Sequence, residues 1–253
     1  MRRVVAMLIL CGMLATSVCA QEAAQDVKSP VLRHTHYFIL VDPGVAPRMT
    51  VETRSFYQYA EGVSVEITDP EGNIEFEGMA PLGGTLATTI ADADADAYMV
   101  RAEPGMNGVV FSADVPWCVF VGGRWGLGSN NGVPPMYLWV PPDCEQVVVA
   151  ALAESPGESG RVVVEDPAGE QAAVIDGTLD EREEIVVEVP EAHRGAVWTL
   201  RWSAPQEAEG GLDDINTFVE GELTPVLWPT QAWAERYGQT LWERHRAASA
   251  AAN

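Results

Sequence analysis

Three aspartates at alternate positions, Asp92, Asp94 and Asp96, are the residues whose type and spacing first suggest chemistry. Hard carboxylate oxygens spaced in this way suit a calcium ion. The run lacks the Gly and the distal Glu of an EF-hand loop, and a solvated charge run ahead of a strand is the simpler reading. The corresponding stretch later in the chain, 179–184, sets Arg182 among its acids. His34-Thr35-His36 would place two imidazoles on one face of a strand, near enough to share a metal. A metal site needs three or four ligands, and His193 and His245 are distant in sequence. Polar residues opening a first strand are therefore the simpler reading here too.

Sugar binding is the second chemistry on offer. All eight tryptophans follow residue 116, and Trp117, Trp125 and Tyr137 cluster with Arg124 around a glycine-rich stretch. Flat exposed rings are a common way to stack sugar rings. The competing reading buries Trp139 and Trp198 in a core and pairs Trp117 across strands. Trp125 has the best functional claim, because a Trp in a glycine-rich loop has little to bury it locally. Catalysis finds no local mark. There is no Gly-x-Ser-x-Gly elbow, no cysteine beside a general base, and no carboxylate pair that stands out among 37 acids. The expectation is a protein that is not an enzyme.

The elements that must position these residues are strands. Val63, Val65 and Ile67 alternate with polar residues, the period of a half-buried antiparallel strand. Asp69-Pro70-Glu71-Gly72 then turns the chain, with Pro presetting φ and Gly able to take a positive one. The same phrase returns at Asp166-Pro167-Ala168-Gly169. Further echoes follow in order: Tyr37 to Val41 with Tyr137 to Val140, Tyr98 to Pro104 with Ile185 to Pro190, Gly108 to Phe111 with Gly195 to Trp198, and Phe120 to Gly123 with Phe218 to Gly221. This predicts an all-β fold, a tandem duplicated antiparallel β-sandwich of jelly-roll or immunoglobulin-like type, closed by a C-terminal α-helix. The expected boundaries are 31–124 for the first sandwich, 125–131 for a glycine-rich linker, 132–229 for the second sandwich, and 230–253 for helix and tail. The linker glycines form no phosphate cradle, since no Gly-Lys-Ser/Thr follows. Thr230 can N-cap a helix running through Ala247, and Trp233, Tyr237 and Leu241 share one of its faces.

The second module carries Gly195-Ala-Val-Trp198-Thr-Leu-Arg-Trp202, then Asp213-Asp214-Ile215, then Pro225-Val-Leu-Trp-Pro229. This pattern resembles the C-terminal β-sandwich accessory modules, galactose-binding-like or jelly-roll, of large secreted bacterial proteins. The resemblance implies a sandwich with a buried Trp strand. It covers about 95 residues of the second module, and the first more faintly. It implies no ligand residues.

The N-terminus and composition bound the setting. Arg2 and Arg3, a short apolar stretch and Val18-Cys19-Ala20 read as a signal peptide over 1–20, followed by a disordered segment at 21–30. Cys19 as a lipoprotein cysteine lacks the small residue expected before it. No later stretch approaches the ~20 apolar residues of a membrane span. Removing Arg2 and Arg3 takes the formal charge from −22 to −24, which argues against nucleic acid or anionic membrane as partner. Of four cysteines, Cys118 and Cys144 remain after the signal, and export would favour a disulfide between them, with two free thiols as the alternative.

The function expected is therefore that of an exported, non-catalytic binding protein, periplasmic or extracellular. It would recognise carbohydrate or another envelope or extracellular component. Two alternatives stand beside it: an assembly protein docking through an exposed aromatic patch on its C-terminal helix, and a glycan-active enzyme. Oligomeric state stays open.

Overall fold

The computed structural model describes residues 27–251, apart from 45, 57, 92–93 and 130–131. The signal-peptide reading and Asp92 lie outside the described residues. The first half contributes β1 (Leu32–Arg33), β2 (His36–Val41), β3 (Arg48–Arg54), β4 (Val63–Thr68), β5 (Ile74–Ala80), β6 (Thr85–Thr89), β7 (Ala97–Glu103), β8 (Gly108–Ala113) and β9 (Trp117–Phe120). The second contributes β10 (Leu127–Ser129), β11 (Met136–Val140), β12 (Gln146–Ala153), β13 (Ser159–Glu165), β14 (Gln171–Thr178), β15 (Glu183–Glu188), β16 (Ala196–Ser203), β17 (Ile215–Gly221) and β18 (Val226–Leu227). The helix α1 (Gln231–Ala251) follows. The protein is an all-β sandwich of antiparallel sheets with a C-terminal helix.

The pairings repeat strand for strand. Each contact among β1 to β9 recurs nine strands later: β1·β8 as β10·β17, β2·β7 as β11·β16, β3·β6 as β12·β15, and so on. The bulge between Ile67 and Thr68 recurs between Val164 and Glu165. One layer is a continuous eight-stranded sheet, β15-β12-β17-β10-β1-β8-β3-β6, which reads as the same repeat from either end. The other joins β18-β9-β2-β7-β4-β5 to β11-β16-β13-β14 through a bridge between Tyr137 and Trp228, whose two backbone bonds are 2.9 and 2.8 Å. Alternation drives Phe38 and Leu40 of β2 inward, where Phe38 stacks on Phe111 of β8 at 4.2 Å. Tyr37 and Ile39 are left on the outer face.

Duplication is therefore present, but several sequence echoes slip. The two Asp-Pro turns do join equivalent strands, and β2 matches β11. By pairing, however, β7 matches β16, not β15, while β8 matches β17 and β9 matches β18. Valine-rich strands resemble one another whatever their neighbours, so similarity alone misassigned three of the five.

Four further expectations change. Within the expected linker, Leu127–Ser129 is a buried strand at the centre of the eight-stranded sheet, held between β17 and β1. Part of the expected disordered segment is ordered: Lys28 bridges Ser112, and Ser29 donates its backbone N–H to the Phe111 carbonyl at 2.8 Å. Cys118 and Cys144 are both buried free thiols and form no disulfide. Cys118 packs with Val41 and Trp228 against the helix, whereas Cys144 belongs to the main core and lies 3.2 Å from the Gln146 carbonyl. Helix α1 is capped as expected, Thr230 Oγ1 accepting from Trp233 N at 3.3 Å, but it runs to Ala251. Its aromatic side faces the sandwich: Trp233 meets Trp117 and Tyr237 stacks on Trp228. Among the described residues no helix is long and apolar enough to cross a membrane.

Candidate functional site

Antiparallel register sets one row of side chains across the outer face of the ten-stranded layer. Phe120 on β9 stands opposite Tyr37 on β2, Tyr37 opposite Arg101 on β7, and Arg101 opposite Glu66 on β4. Residues directly opposite in a sheet share a face. The row therefore forms an aromatic floor, Phe120 and Tyr37, followed by the Arg101 guanidinium and then the Glu66 carboxylate. Arg101 donates from Nη2 to Glu103, two residues along on the same face, at 2.7 Å.

The wall comes from the turn after β9. Gly126 N–H donates to the Gly123 carbonyl at 3.1 Å, which closes a four-residue turn and presents Arg124 and Trp125 at its two central positions. Gly126 has φ +54°, and a Cβ there would come within 2.4 Å of the Thr217 carbonyl oxygen. Both facts require glycine. Floor and wall enclose an open concavity of about 350 Å³, lined also by Thr35.

Trp125 is held more firmly than a loop residue needs to be. Its ring stacks on His34 at 4.2 Å and 14°, and the Arg124 guanidinium lies over it at 4.6 Å. His34 adopts φ +66°, a conformation that costs a non-glycine residue of order 1 kcal/mol or more. It is fixed from the second half: Glu154 takes His34 Nε2 at 2.5 Å through one oxygen and Arg33 at 3.1 Å through the other, while Arg33 also pairs with Asp214 at 2.5 Å. Beside this network Glu158 has its carboxyl pushed up by burial and by the charges of Asp214, Glu154 and Asp213. With one face of Trp125 taken by His34, stacking of a ligand falls to Tyr37 and Phe120, and Trp125 serves as the wall.

The sequence candidates separate accordingly. Arg124 and Trp125 meet in the concavity. Trp117 is fully buried, edge-on to Phe38 and Phe111, and is core. Tyr137 sits over the other half, paired with Trp228 and packed beneath the helix. Asp96 pairs with Arg244 of the helix at 3.1 Å, Asp94 is exposed with its N–H on the Tyr98 hydroxyl, and among the described residues no three His, Cys, Asp or Glu side chains converge as metal ligands. The two histidines do not share a face as a metal pair: His34 precedes the strand, and His36 is buried with Nε2 2.6 Å from the Arg33 carbonyl oxygen. Tyr37, Phe120, Arg101 and Thr35 were missed, because only strand register brings them beside the turn.

No protein-family model matches the chain, and no curated protein does. Among solved structures it is similar to a peptide-N(4)-(N-acetyl-β-D-glucosaminyl) asparagine amidase, at 7% identity over 81% of this chain and 96% of that one, with a TM-score of 0.26. It is also similar to a fucolectin from striped bass (Morone saxatilis) serum, at 11% identity over 79% and 84% of the two chains, with a TM-score of 0.19. Likenesses at these scores carry no argument about ligand or activity.

Proposed function

We propose that the chain is an exported, non-catalytic binding protein that recognises carbohydrate in the concavity between Tyr37, Phe120 and Trp125. The observation that supports this reading is the composition of that concavity. Rings on a floor offer flat apolar surface to the C–H face of a pyranose, and the Thr35 hydroxyl and two guanidiniums offer polar contacts at its edge. Carbohydrate ligands combine those two kinds of surface. The assembly alternative loses its basis, since the helix turns Trp233, Tyr237 and Trp242 toward the sandwich and exposes Glu235, Arg236, Gln239 and Glu243.

A glycan array probed with the purified protein tests the reading, with Tyr37→Ala and Trp125→Ala as controls. Removing either ring is expected to lower binding at least tenfold, as loss of roughly 1.4 kcal/mol or more of contact would. Absence of binding to every glycan, or binding that both variants keep, removes the carbohydrate reading.

A further inference from the structure

Resting on that reading, we propose that the saccharide is an acidic one, whose carboxylate is received by Arg124 and Arg101. The argument begins with how this protein spends its cations. The chain has 37 acidic and 15 basic residues, so carboxylates are in excess around every arginine. Of the twelve described arginines, ten pair with a carboxylate within 4.0 Å. Arg124 and Arg236 do not; each lies over an aromatic ring instead. Arg236 stands on the exposed, outward side of α1. Arg124 stands at the mouth of one, held there by the Gly123–Gly126 turn.

The floor adds a second cation. Arg101 commits Nη2 to Glu103, and a guanidinium carries five donors in a fixed fork suited to carboxylate. Two guanidiniums, Arg124 and Arg101, line the concavity, while the Glu103 that pairs with Arg101 and the Glu66 opposite it lie outside the lining, which leaves Arg124 as the cation with no carboxylate of its own. On a protein of net charge −22, a pocket lined this way selects a ligand that brings its own negative charge.

The repeat supplies an internal comparison. The strand equivalent of Arg101 is Arg201, since Arg101 stands across from Glu66 as Arg201 stands across from Val163. There both carboxylate oxygens of Glu165 hold the guanidinium at 2.8 Å. The position matching Tyr37 is Pro135, and where the Arg124-Trp125 turn follows β9, helix α1 follows β18. The second copy has thus replaced the ring of the floor with a proline and put a helix where the first copy has the turn. The ligand site is expected once per chain.

The test is an array carrying uronate- and sialate-terminated glycans, each beside its counterpart with the carboxyl reduced to the alcohol. Titration of the best acidic glycan then gives affinity and stoichiometry. The acid form is expected to bind at least tenfold tighter than the reduced form, at one site per chain. Arg124→Gln should abolish that preference and Arg101→Gln should diminish it, with each variant's thermal unfolding followed to show that it remains folded. Equal binding of acid and reduced forms, with dependence on Tyr37 and Trp125 retained, overturns the acidic assignment and leaves the carbohydrate reading standing. Acid preference that survives both arginine variants overturns the assignment of these residues. No binding to either form overturns both readings.

Discussion

His36 is the titratable side chain that the fold treats most severely. Only 1% of its surface is exposed, and burial, opposed by the hydrogen bond to the Arg33 carbonyl and reinforced by nearby His34, lowers its pKa from 6.5 to about 4. Between those two values the unfolded chain takes up a proton that the native state refuses. Native stability therefore falls as pH drops through that window, by about 3 kcal/mol for the full difference. His36→Gln removes the titration. Its urea midpoint should vary less than that of the wild type between pH 7 and pH 4.5; parallel profiles for the two proteins would show that His36 is not the group responsible. The sequence offered His34 and His36 as a matched pair. What separated them was the positive φ at His34, fixed by Glu154 from 120 residues away, and no local pattern encodes that partner. Trp125 was legible for the opposite reason: a Gly-Arg-Trp-Gly turn is written in four adjacent residues.

At the scale of elements, α1 depends on one close approach. A Cβ at Gly238 would come within 2.4 Å of Trp139 Cβ and Cγ, atoms fixed by the backbone of β11. Gly to Ala inside a helix ordinarily gains up to about 1 kcal/mol. Here the helix would have to lift, loosening Trp242 from Trp139 (5.9 Å) and Tyr237 from Trp228 (6.3 Å), and overpacking of this kind costs about 1–3 kcal/mol. Gly238→Ala is thus expected to lower the melting temperature and weaken the near-ultraviolet tryptophan signal, while Gln239→Ala on the exposed side changes neither. A stabilised Gly238→Ala protein would mean that the helix is not seated as described. The helix start and its inward side were legible, since Thr230, Trp233, Tyr237 and Leu241 carry cap and spacing within a dozen residues. Strand partners were not, because an alternating valine strand specifies a face without specifying a neighbour.

The whole molecule is two copies of a nine-strand unit that neither copy completes alone. One hydrophobic core runs through both halves, from Leu32 and Phe38 to Trp198 and Leu227. The copies meet edge to edge at β1·β10 in one layer and β9·β18 in the other. Side chains tie the same seam: Arg33 to Glu154 and Asp214, Arg244 to Asp96, and Trp233 against Trp117. A chain divided after Gly123 would leave each half with two unpaired strand edges, and the first half with Trp117 stripped of the helix that covers it. Such a cut falls in the exposed turn and breaks no strand. Neither half is expected to show a cooperative urea transition by itself, whereas the two mixed in equal amounts should refold into one complex with a single transition. The ligand site would report the same event, because Arg124 and Trp125 then belong to one fragment and Tyr37, Arg101 and Phe120 to the other. Two halves that each unfold cooperatively alone would instead make the shared core a contact between finished domains.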